Sequence, residues 1–203
     1  MATPIGHETG EAWSLGLLVS DHTGRRLPLA RRPAVVHRAL ATGCRAAWRL
    51  RAAEGTADPF SLARHLGVAV TWSDEPPALG AIVLIAEYAP RPPAIRLFAE
   101  SVDRISAALP SLPVADVYVA HELYHHLEAA GLGPASELAR VTLARAGPWR
   151  WQSGIRALSE IAAHSFAQAL LDLPLFPGVL DRLALGGARP LAAGGAESAP
   201  SAP

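Results

Sequence analysis

The chain has 203 residues, half of them hydrophobic, and 18 arginines balance 18 acidic residues. That length supports one domain with a real core, and zero net charge supplies no global field toward nucleic acid or an anionic membrane. Cys44 is the only cysteine, which excludes an intrachain disulfide and a cysteine-based zinc site and points to a reducing cytoplasm.

Residues 1–32 show no sustained period and contain the turn formers Asp21-His22-Thr23-Gly24, so a loose arm is expected there. The apolar patch Trp13 to Val19 is too short for a signal-peptide core. Leu79 to Ala86, the longest apolar stretch elsewhere, falls far short of a membrane span, so no membrane partner is expected. Pro33 suits a first helical turn, and Val36, Leu40, Cys44, Ala47 and Leu50 recur at helical spacing to about Glu54. Arg38, Arg45, Arg49 and Arg51 occupy the other side. With no recognition-helix pattern beside them they read as a solvated face, and no direct nucleic-acid partner is expected.

Asp58-Pro59 is an N-cap followed by a helix-starting proline, and Gly67 stops that short helix. Strands are predicted at 68–72, 81–87 and 94–99, the last after the turn Pro90-Arg91-Pro92-Pro93. Helical runs follow at 102–109, at 114–130 (stopped by Gly131), at 135–146 and at 152–173, with a short helix near 178–185. From Gly186 onward almost no large apolar side chain remains, so 186–203 should be a disordered tail. The whole reads as α+β: one domain over residues 33–185, with a small mixed or antiparallel sheet packed with helices.

His121-Glu122-Leu123-Tyr124-His125 is an HExxH motif inside the predicted helix 114–130. At ~100° per residue the two histidines differ by about 40° and lie one turn apart, so both imidazoles can converge on one tetrahedral ion. Glu122 sits about 100° from His121, beside the metal, where it can serve as a general base. His126 belongs to another face and reads as a structural or surface histidine. A catalytic zinc needs a third protein ligand and an open position. Glu128, three residues past His125 on the same helix, would have to reach back along the axis and is rejected. Glu160 and His164 share one face of the last long helix. One of them can bind metal while the other supports it.

Two stretches resemble the ImmA/IrrE-type metallopeptidases, a minimal zincin-like family. The first is Ala120-His121-Glu122-Leu123-Tyr124-His125. The second runs Glu160-Ile161-Ala162-Ala163-His164-Ser165-Phe166-Ala167-Gln168-Ala169-Leu170-Leu171-Asp172-Leu173-Pro174, similar to the family's E-x-x-A-[N/D]-x-F-A-x-x-L-L-x-x-P. Weaker likenesses lie in Leu62 to Val70 and Ala94 to Leu97, so the similarity covers roughly residues 35–176. Tyr124 stands where the family usually has Gly, His164 where Asn or Asp is common, and Pro174 falls one residue late.

The resemblance implies Zn2+ held by His121, His125 and Glu160, with Glu122 as catalytic base. It implies site-specific cleavage of an intracellular protein such as a DNA-binding repressor, in a stress response or in mobile-element control. His164 and Tyr124 are candidates for supporting the metal or the transition state, and Tyr88 and Tyr118 are further candidates for an oxyanion donor. An extended substrate segment is expected to pair with an exposed sheet edge, with strand 94–99 as the candidate. Two rival readings use the same residues: a zinc-containing regulatory or protein-binding module that cleaves nothing, and a metal-free α+β binding protein.

Overall fold

The structure is a computed structural model that describes residues 10–75, 78–79 and 82–184. In chain order the helices and strands are α1 (Gly10–Ser20), α2 (Arg32–Glu54), α3 (Pro59–His65), β1 (Ala69–Ser73), β2 (Ala78–Leu79), β3 (Ile82–Val83), β4 (Ala86–Pro90) and β5 (Pro93–Phe98). They continue with α4 (Ala99–Ala108), α5 (Val114–Leu127), β6 (Arg140–Ala146), β7 (Trp149–Gly154), α6 (Arg156–Leu171) and α7 (Gly178–Ala184). The class is mixed α+β. Among the described residues, no helix is long and apolar enough to cross a membrane.

Local chemistry explains most of the boundaries. Asp58 caps α3 by accepting from the Phe60 and Ser61 amides at 3.2 and 3.1 Å. Gly55 ends α2 at φ 69°, where a side chain would be strained, and its amide returns to the Arg51 carbonyl at 3.0 Å. α5 gives way after Leu127 to a wide turn over Glu128–Leu132, in which Gly131 takes φ 128°.

The main sheet has the order β1-β5-β4, with β1 parallel and β4 antiparallel to β5. β5 is therefore the central strand, with Ile95, Leu97 and Phe98 buried. The expectation that strand 94–99 offers a free edge is corrected: β5 is paired on both sides, and β4 holds the exposed edge next to α5. One apolar cluster joins this sheet to α3, α4, α5 and the second half of α6.

A second cluster, built from α1, the first half of α2, Val141, Ile155 and the start of α6, corrects the loose-arm expectation for residues 10–32. Trp13 and Leu18 of α1 are buried, and the Trp13 ring lies edge-on to His164 at 4.8 Å and beside Phe176 at 5.4 Å. Two 3-10 turns, Gly24–Arg26 and Leu29–Arg31, then lead into α2. The predicted helix 135–146 is also corrected. Only Ala135–Leu138 makes a 3-10 turn, and residues 140–146 pair antiparallel with 149–154 around Gly147-Pro148. The expected tail 186–203 lies outside the described residues.

α6 packs between α2 and α5. A methyl at Gly43 would overlap the Ala162 carbonyl, so only glycine lets α2 come this close to α6. Ser165 Oγ also donates to the Leu40 carbonyl at 2.8 Å. These contacts fix the depth of the helix that carries Glu160.

Candidate metal centre

α5 presents His121 and His125 one turn apart, and α6 brings Glu160 against them across the helix interface. The two Nε2 atoms are 3.3 Å apart, and Glu160 Oε2 lies 3.3 Å from His121 Nε2 and 3.7 Å from His125 Nε2. Ligands placed about 2.0–2.1 Å from a tetrahedral ion stand about 3.3–3.4 Å from one another. Two edges of the triangle match one face of such a coordination shell, and the third, from Glu160 to His125, is longer at 3.7 Å. These three groups form a cluster able to hold a metal ion, the one such cluster among the described residues.

The fourth side opens on a cleft of about 560 Å³. Leu84, Ala86, Glu87 and Tyr88 form the β4 side, with His121, Glu122 and His125 on α5 and Arg156, Ser159 and Glu160 on α6. Glu122 is buried yet lines this cleft, and burial pushes its carboxyl up to about 7. Burial and the nearby His164 imidazole pull His121 down to about 4. Burial also works against a charged His125, but hydrogen bonds to Glu128 and Glu160 outweigh it and push that imidazole up to about 10. For Glu160 the same competition runs the other way: burial opposes its charge, but His121 and His125 hold the carboxyl well below its ordinary range.

Glu128, which lies outside the ligand cluster, has a role that sequence reasoning missed. Its Oε2 lies 3.2 Å from His125 Nδ1, while its Oε1 accepts from the Ala135 amide at 2.6 Å and from Ser159 Oγ at 3.0 Å. With Nδ1–H held by this carboxylate, the proton that a metal displaces is the one on His125 Nε2, which frees that lone pair toward the site. The i+3 spacing from His125 was the available signal. Ser159 gave none.

His164 and Tyr124 require correction as candidates for touching a reacting group. His164 is buried behind the site, its ring 4.4 Å from that of His121, and its Nε2 engages Asp181 Oδ2 at 3.3 Å. It contributes no atom to the ligand cluster, so His164 does not close the open side. Tyr124 is fully buried against Phe166 at 5.7 Å, and its hydroxyl has no partner among the described residues. Tyr118 turns to Asp181 Oδ1 at 3.0 Å. Of the three tyrosines only Tyr88 lines the cleft, and its hydroxyl is held 2.9 Å from His126 Nδ1. That contact gives the buried His126 a structural role, as its position on another face of α5 suggested.

The chain matches no protein-family model, no curated protein and no solved structure.

Proposed function

We propose that the protein is a zinc-dependent endopeptidase acting on an intracellular protein, with His121, His125 and Glu160 as ligands and Glu122 as general base. The carrying observation is the ligand triangle, close in size to one face of a tetrahedral shell and bordering a cleft that also contains a buried carboxylate. When bound, zinc supplies a Lewis acid for a carbonyl oxygen and makes water acidic near neutral pH. Glu122 takes the proton from the attacking water and returns it to the leaving amine nitrogen, a task suited to a carboxyl poised near 7. Tyr88, the one tyrosine lining the cleft, is the candidate donor to the developing oxyanion, a role that requires its hydroxyl to leave His126 Nδ1. The β4 edge beside the cleft can pair with an extended substrate segment. A DNA-binding repressor, as the family resemblance implies, is the substrate class to test first.

The test combines metal content with cleavage. About one zinc per chain is expected, lost in His125→Ala. Glu122→Gln should keep the metal and the fold while cleavage falls by a factor of about 10² to 10⁴. Stoichiometric zinc with no cleavage of any repressor by the wild type would favour the non-cleaving regulatory module. No metal after zinc is supplied would refute the centre itself.

A further inference from the structure

A net charge of zero conceals a strong segregation of charge. Residues 22–53 hold eight arginines and no acidic residue, and residues 138–159 hold four arginines and no acidic residue. The two segments meet: Arg26 Nη1 donates to the Leu143 carbonyl at 3.2 Å, setting the first basic turn beside the β6–β7 hairpin. In the hairpin Arg145 is paired directly with Arg150. Like charges facing each other across a ladder are destabilising, and among the described residues neither has an acidic partner.

The other face of the ribbon is aromatic. Ala144 pairs with Trp151 and Ala146 with Trp149, so both indoles stand on one face opposite only methyl groups. They are 78% and 74% exposed, the most open tryptophans of the described residues. Their positions, two residues apart on a strand, put them roughly 7 Å apart. That is about twice the 3.4 Å rise of stacked bases, so two bases can lie on the two rings with the step between them opened. A groove of about 460 Å³ runs over these residues, with Arg140, Arg145, Arg150 and Gln152 along it.

We infer that the β6–β7 hairpin is a binding site for single-stranded nucleic acid, in which Trp149 and Trp151 stack on bases and Arg145 and Arg150, which line the same groove, hold phosphates; Arg140 is already ion-paired with Glu137 at 3.2 Å. An acidic peptide would satisfy the guanidinium groups but would leave two adjacent open indole faces without a repeating planar partner. A duplex would hide its base faces from them. Burial covers only a minor part of either residue, so packing does not account for them. The inference stands apart from the peptidase reading, because it concerns a different surface and a ligand that is not cleaved.

The test is anisotropy of a fluorescent oligothymidylate of about twenty nucleotides, longer than the usual footprint of one binding module. It is titrated with the full chain while tryptophan emission is followed. Saturable binding with quenched emission is expected. Two phosphate contacts on a single strand give a log–log salt slope of about −1.4, so affinity should drop about sevenfold between about 50 and 200 mM salt. Trp149→Ala with Trp151→Ala should weaken binding at least about 30-fold, and Arg145→Gln with Arg150→Gln should flatten the slope to near zero. If the alanine pair disturbs the hairpin by circular dichroism, Trp149→Phe with Trp151→Phe keeps the flat rings and should keep binding. No binding at 50 mM salt would overturn the inference, as would unchanged affinity in a folded tryptophan variant. Tighter binding to a duplex, to a glutamate-rich peptide of equal charge or to anionic vesicles would do the same.

Discussion

Replacing Glu128 by Gln tests how the centre is held together without touching a ligand. In the wild type one carboxylate accepts three hydrogen bonds: from His125 Nδ1, from the Ala135 amide and from Ser159 Oγ. A carboxylate can accept on both oxygens, whereas a carboxamide offers one acceptor oxygen and one donor nitrogen. If the Gln oxygen stays with Ala135 and Ser159, its NH2 faces His125 Nδ1 and forces the ring proton onto Nε2, the atom needed for metal. If the amide flips, its NH2 opposes the Ala135 N–H. Either way a partner is lost. Outer-shell changes of this kind typically weaken metal binding 10–100-fold, about 1.4–2.7 kcal/mol. Competition with a chromophoric zinc chelator at fixed pH would measure it, with circular dichroism as the fold control. Unchanged affinity in a folded Glu128→Gln protein would refute the claim that this carboxylate sets the His125 tautomer.

Zinc affinity should also depend on pH in a defined sense. In the metal-free protein His125 is raised to about 10, so at neutral pH it carries a proton that the metal must displace. His121, lowered to about 4, is already neutral there. Between about pH 5 and 9 the affinity should therefore rise about tenfold per pH unit, with about one proton released per zinc in calorimetry across buffers of different ionisation enthalpy. A flat profile would contradict it. Tyr88→Phe should lower kcat by a factor of about 10² or more while leaving zinc content intact. A fall confined to KM would make Tyr88 a substrate contact instead. Gly43→Ala should cost ~1–3 kcal/mol through overpacking against Ala162 and lower zinc affinity as well, since α6 carries Glu160. Thermal unfolding together with the chelator assay reads both.

The centre was legible in the sequence because its information is local. Two histidines four residues apart on one helix must share a face, and an acid embedded in Ile161, Ala162, Ala163 and Phe166 calls for a partner across a helix interface. The caps at Asp58 and Gly55 and the span of α2 follow from the same short-range rules. Pairing and direction were decided elsewhere. Arg140–Ala146 has enough Ala, Leu and Arg to suit a helix, and it becomes a strand because β7 supplies a ladder across Gly147-Pro148. α1 shows no clean stripe, yet it is ordered by burying Trp13 and Leu18 in the second cluster. Only the tertiary structure makes β5 central and gives β4 the edge. It also turns Tyr124 inward against Phe166, commits His164 to Asp181, and lets Glu128 fix His125 instead of reaching for metal. The sequence by itself determined that His121 and His125 can share a metal, since that depends on helical spacing; it left Glu160 and His164 as alternatives for the third ligand, which only the family resemblance separated and the tertiary contact of α6 with α5 decides. Which neighbours orient them and which side stays open depend on contacts between distant segments, and no local period records those.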